Sequence, residues 1–274
     1  MAISLKDLKQ VRATLPPRAL IYGPPGQGKT TLASEWPNAV YIQIEDGTPG
    51  NLTLDSFGLL TRYEQVMEAI GALYTENHGY QSVVTDTLDK FEPLVWAATC
   101  EANKWADIEA PGYGKGYVAA DMFWREYLDG LDALRRDRNM NVVMIAHSTI
   151  ERFDDPRTAS YSRFDIRLHK RAAGLVVDWC DLGVMLNQDA TIKTEDQGFN
   201  KKRSHAEGGF QRWMYLEGRP AFMAKNRYCM PEKLPYKKGE GYKAIAPYLP
   251  AAAEQATATE QASEQPAGDS QQAA

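Results

Sequence analysis

The chain has 274 residues, 43% hydrophobic and 24% charged, enough apolar material for one large α/β domain or two small ones, and not the composition of a fibrous protein. No run nears the roughly 20 apolar residues that span a bilayer, and Cys100, Cys180 and Cys229 lack disulfide or zinc spacing, so a cytoplasmic protein with three buried thiols is expected. The net charge of −5 argues at face value against a nucleic-acid partner, but Glu254, Glu260, Glu264 and Asp269 carry four of those charges in the last segment and leave a nearly neutral body.

In chain order, an apolar strand at 19–22 enters a Gly/Pro-rich turn at 23–30, followed by a helix-compatible stretch at 31–36. A strand over 39–44 and a charged turn at 45–50 precede a helix with apolar spacing over 63–74. The pattern then predicts a buried strand at 81–85, helices over 87–102 and 118–136, and a strand at 141–146. Strands alternating with helices imply right-handed βαβ units and a mostly parallel sheet. Beyond Asp181 the pattern becomes short strands at 182–186, 190–194, 210–216 and 221–224, which predicts an antiparallel extension. The domain is placed at 1–248. Residues 249–274 lack aromatic and, beyond Leu249, branched aliphatic side chains, and read as a disordered acidic tail, with a solvated helix as the alternative.

The turn is Gly23-Pro24-Pro25-Gly26-Gln27-Gly28-Lys29-Thr30, a complete GxxxxGK[ST] loop followed by Thr31. Glycines let successive backbone N–H groups converge on phosphate oxygens, Lys29 would reach the β/γ-phosphates, and the Thr30 hydroxyl would ligate Mg²⁺. The alternative is a plain Gly/Pro turn. A second metal-facing carboxylate belongs at the end of a neighbouring strand, where Asp86 stands, although an Asp there also suits a helix N-cap. Hydrolysis needs a group to orient water. Glu45 is preferred over Asp46 for that role, against a reading of both as a charged turn. His147 ends the next strand and fits a sensor of the γ-phosphate or a structural histidine equally in residue type.

The loop at 23–30, Ile44-Glu45-Asp46-Gly47, Thr85-Asp86-Thr87-Leu88-Asp89 and Ile145-Ala146-His147-Ser148 resemble the RecA-like core over about residues 15–235. They look most like phage-encoded, single-domain RecA-like ATPases that act as single-strand annealing proteins, and like phage AAA-type nucleotide-binding proteins. The resemblance implies an α/β RecA-like P-loop NTPase fold, with ATP and Mg²⁺ as cofactors. It implies assembly into a homo-oligomer, ring or filament, on single-stranded DNA in the host cytoplasm, with a single-strand binding protein as a further partner and no membrane. By the same resemblance, Lys225 and Arg227 act across a subunit interface on the neighbour's γ-phosphate, the alternative being a solvated basic turn. DNA contact is assigned to a first loop with Tyr113, Lys115 and Tyr117 and a second with Arg152, Arg157 and Arg163, basic residues supplying backbone affinity and tyrosines stacking on bases.

Two departures stand out: no separate DNA-binding domain is evident, and His147 stands where recombinases carry glutamine. They favour annealing over strand exchange. The competing functions are an ATP-dependent switch or assembly factor with a protein partner, and a hexameric helicase or helicase-loader motor.

Overall fold

A computed structural model of the protein describes residues 14–157, 159–196 and 202–250, with backbone alone over 190–196 and 202–208. The chain folds as β1 (Arg18–Gly23), α1 (Lys29–Ser34), β2 (Ala39–Gln43), β3 (Asp55–Leu59), α2 (Tyr63–Thr75), β4 (Ser82–Asp86), α3 (Leu88–Asn103), α4 (Lys115–Asp137) and β5 (Asn141–Phe153). It continues through β6 (Tyr161–Ile166), α5 (Lys170–Trp179), β7 (Leu182–Asp196), β8 (Lys202–Tyr215), β9 (Lys225–Asn226), β10 (Lys233–Tyr236) and α6 (Gly241–Ile245). The sheet order is β10-β8-β7-β1-β5-β4-β2-β3. From β7 to β3 every pairing is parallel, whereas β8 joins β7 and β10 joins β8 antiparallel.

The parallel strands are apolar throughout because both faces are covered. Side chains alternate along a strand. Leu20 and Tyr22 of β1, Val142 and Met144 of β5 and Val83 of β4 therefore pack into one core with α2 to α5. Ala19, Ile21, Val143, Ile145 and Val84 enter a second core with Leu32 of α1 and Ile245 of α6. In the first core, α4 is held by Trp124, Tyr127, Leu131 and Leu134, all at most 1% exposed, and Tyr127 donates its hydroxyl proton to Thr85 Oγ1 at 2.7 Å.

The α/β architecture with a mostly parallel sheet and an antiparallel extension is as the sequence predicts. Several local expectations need correction. The strands placed at 182–186 and 190–194 are one strand, β7, because β8 pairs along its length with a register shift near Gln188. Residues 221–224 form no strand: Phe222 makes only isolated bridges, to Phe164 and Arg219. The strand expected to stop at Ala146 runs on to Phe153 because β6 pairs with its outer half. Leu249, 4% exposed, packs in the second core, so the ordered body reaches at least that residue. Cys180 is buried and Cys100 half-buried, but Cys229 is exposed at φ 54°, and all three are free. The acidic tail at 251–274 lies outside the described residues. No helix among the described residues is long and apolar enough to cross a membrane.

Leu131→Ala removes a wholly buried side chain from α4 and should cost about 3 kcal/mol of unfolding free energy, read as a lowered urea midpoint.

Candidate functional site

Sheet topology assembles the site. Because β5 lies between β1 and β4, three strand ends line up at one edge of the sheet: Gly23 sits opposite His147, and Asp86 sits opposite Gln43 of β2. Carboxyl ends of parallel strands are where such clefts form. Here they open into a cavity of about 380 Å³ lined by Gly26, Gly28, Lys29, Thr30, Glu45 and His147, with Asp86 and Thr87 at its side.

The loop has the backbone its glycines imply. Gly26 and Gly28 take φ 75° and 97°, left-handed values that side chains resist. Gly23 is required by proximity: a Cβ there would sit 2.2 Å from the carbonyl oxygen of Leu186. Lys29 is 6% exposed, and its ammonium donates to the carbonyl oxygen of Pro24 at 3.1 Å. Burial lowers its pKa, and the nearby Asp86, Asp89 and Glu45 oppose that shift without cancelling it.

The Thr30 hydroxyl donates to Asp86 Oδ2 at 2.9 Å, and Tyr41 donates to the Thr30 carbonyl at 3.1 Å. Burial pushes the Asp86 carboxyl up to about 6, against the lowering effect of the Thr30 bond, and the charge of Glu45 adds to the rise. Two hard oxygen donors side by side next to an anion-binding loop suit Mg²⁺ completed by phosphate and water. Among the described residues no cluster of three or more His, Cys, Asp or Glu could hold a metal by itself.

Glu45 reaches the same cavity because the backbone N–H groups of Ile44 and Glu45 both donate to the Asp86 carbonyl, and Thr87 donates its hydroxyl proton to Glu45 Oε2 at 3.2 Å. The Asp86–Thr87 peptide is cis. Asp46 is exposed and does not line the cavity. His147 is fixed by Asp89, which accepts from the His147 backbone N–H at 2.9 Å and lies 3.1 Å from Nδ1. Burial alone would raise the Asp89 carboxyl, but the bonds from His147 hold it below the usual carboxylate range. Asp89 was visible in Thr-Asp-Thr-Leu-Asp, but its pairing with a histidine 58 positions away was not.

The other sequence-predicted residues lie elsewhere. Lys225 and Arg227 flank the start of β7, at the edge of the sheet opposite the loop: Asn226 pairs with Leu182, and Leu182 with Ala19. Four residues of strand separate that level from Gly23, about 13 Å. Lys225 donates to the carbonyls of Val177 and Asp178 at 2.7 and 2.9 Å, and Arg227 pairs with Asp181 at 3.0 Å. Tyr113 is fully exposed and Lys115 opens α4. Tyr117 is on that helix, not in the loop, with its ring stacked on His169 at 3.9 Å and its hydroxyl bonded to Glu109. Arg152, Arg157 and Arg163 lie on or between β5 and β6, paired respectively with Asp154, Asp155 and Asp165.

Residues 15–228 match the model of a family described as AAA domain. The chain belongs to the AAA domain family. No curated protein matches it. Among solved structures it is similar to the RadB recombinase, with 16% identity, a TM-score of 0.45, and coverage of 82% of this chain and 90% of that one. Membership of the AAA domain family and the loop, buried lysine and Thr–Asp pair together make this a P-loop nucleotide-binding domain.

A carboxyl whose folded-state pKa is raised from 3.8 to about 6 binds its proton more tightly in the native state, so Asp86 favours folding below about pH 4 and that contribution is lost as pH rises to about 6. Asp86→Asn, which can still accept from Thr30, should therefore stabilise the nucleotide-free protein by about 2 kcal/mol at pH 7 and hardly at all at pH 4, measured by denaturant unfolding at both.

Proposed function

We propose that the protein is a RecA-like ATPase that oligomerises on single-stranded DNA and promotes annealing or recombination. In the nucleotide step, Lys29 and the loop amides bind the phosphates, Glu45 orients and deprotonates the attacking water, and His147 senses the γ-phosphate through a ring held by Asp89. Mg²⁺ on Thr30 and Asp86 would neutralise charge developing on the phosphates.

The observation that carries the DNA reading is that β5 does not end at the nucleotide site. His147 continues straight into the β5–β6 hairpin, and the Arg167 backbone N–H at the hairpin's base donates to the His147 carbonyl at 2.8 Å. The stack of Tyr117 on His169, just beyond β6, brings the segment holding Tyr113 and Lys115 beside that base. A change at His147 would therefore have only a few residues to cross to reach both candidate DNA segments.

A second reading has its own support. Each arginine assigned to DNA in the hairpin region already has an aspartate within two positions, which lowers the net charge a phosphate backbone would meet. That pattern favours a switch with a protein partner. Single-stranded DNA at low salt should raise ATP turnover severalfold if the first reading holds; unchanged turnover selects the second.

For Lys225 and Arg227, the placement on the far edge leaves only a neighbouring subunit's site within reach, and assembly must first release Arg227 from Asp181. Three substitutions separate the roles. Lys29→Ala should lose nucleotide binding and turnover together. Glu45→Gln should bind ATP yet turn over at least a hundredfold more slowly, about the usual contribution of a general base. Arg227→Ala should bind ATP normally and poison wild-type assemblies in mixing experiments, whereas proportionate dilution of activity would remove the intersubunit role.

A further inference from the structure

Two cations enter the nucleotide cavity from a part of the chain that no phosphate-loop motif includes. Arg212, on β8, and Lys238, just after β10, line it together with Gly26, Lys29, Thr30 and Asp86. An Arg212 nitrogen, Nη2, lies 3.4 Å from the Gly26 carbonyl oxygen, and a Cβ built on Gly28 would meet Nη1 at 3.5 Å and the Tyr236 ring at 3.3 Å. We propose that Arg212 and Lys238 bind the phosphate chain of the nucleotide within the same subunit, with Glu35 as the residue that positions Lys238. The inference rests on the nucleotide reading above and deepens it.

Charge supports the assignment. Among the described residues neither side chain has a salt-bridge partner, although Arg152, Arg157, Arg163, Arg171 and Arg227 all do. Guanidinium and ammonium groups placed at a loop built for anions, with no carboxylate of their own, are matched by phosphate oxygens.

Location supports it too. Glu45, Asp86 and His147 stand on the β2, β4 and β5 side of the loop, where metal and water chemistry belongs. Arg212 and Lys238 stand on the β8 and β10 side. A triphosphate held by the loop would have Glu45 and the Thr30–Asp86 pair on one flank and these two cations on the other.

Glu35 links the two halves. It follows the last turn of α1, and its carboxylate accepts from the Gly239 backbone N–H at 2.7 Å, the Tyr242 backbone N–H at 3.0 Å and the Tyr236 hydroxyl at 3.4 Å. Lys238 lies within the span those bonds hold. Close packing backs them: a Cβ on Gly241 would fall 2.4 Å from Leu32 of α1, and Trp36 meets Tyr242 with ring centroids 5.0 Å apart. The turn carrying Lys238 is thereby tied to the helix that carries Lys29 and Thr30.

The test is equilibrium binding of a fluorescent ATP analogue to the full chain, with ATP, ADP and AMP as competitors and a thermal melt for each variant. Arg212→Gln should weaken ATP about tenfold and AMP far less, while Arg212→Lys recovers part of the loss. Lys238→Gln, at an exposed position, should weaken ATP with an unchanged melt, and carries the test if Arg212→Gln unfolds. Glu35→Gln should weaken ATP in the wild-type background and add little to Lys238→Gln. Wild-type ATP affinity in both cation variants, alongside lost binding in Lys29→Ala, overturns this inference and leaves the nucleotide site standing. Equal losses for ATP and AMP overturn the phosphate contact. Wild-type binding by Lys29→Ala overturns the nucleotide reading itself.

Discussion

The hydrogen bond from Thr30 to Asp86, 2.9 Å long and partly buried, is the contact around which the molecule is arranged. It joins the first turn of α1, the helix that follows β1, to the end of β4, and in the sheet β5 lies between β1 and β4. Keeping an acceptor carboxylate there is costly, which is why its pKa rises to about 6, and only a rigid two-sided core can hold the pair in place. The wholly buried alternation of Leu20, Ile21 and Tyr22 against Val142, Val143 and Met144 supplies that rigidity.

The other polar groups are graded by distance from that contact. Lys29 and Glu45 flank it, and Thr87 and Asp89 orient Glu45 and His147. Beyond them, backbone bonds carry the arrangement outward: Arg167 to His147 at the hairpin, and Gly239 and Tyr242 to Glu35 at the antiparallel extension. The hairpin and the extension are thus both attached to the nucleotide site, from opposite sides of β1.

At the far edge of the sheet a different network holds the fold. Asp181, 5% exposed, accepts from Arg18, Arg135 and Arg227, and Asp132 joins it through Arg18. Burial alone would raise the Asp181 carboxyl, yet Arg18 and Arg135 keep it below its ordinary value. A buried carboxylate with three cations is well satisfied, and detaching Arg227 leaves two. The intersubunit use proposed for Arg227 would therefore still leave Arg18 and Arg135 on Asp181.

By itself, the sequence determined the elements whose signals are local. A glycine-rich turn needs only its own residues to adopt left-handed backbone, and an apolar run needs only its neighbours to read as a buried strand, so the loop at 23–30, β2, β4 and the helices α2 to α4 were legible with Asp86 and Glu45 at their strand ends. Tertiary structure alone decided the rest. β3 and β10 are short edge strands with little apolar patterning, and β6 exists because β5 overruns the sheet to pair with it. The pairing of Asp89 with His147, the closure of Glu35 on a turn some 200 residues later and the arrival of Arg212 at Gly26 are contacts between distant segments. No spacing along the chain encodes such contacts, because they follow from strand order and register, which packing of both sheet faces sets only once the whole chain has folded.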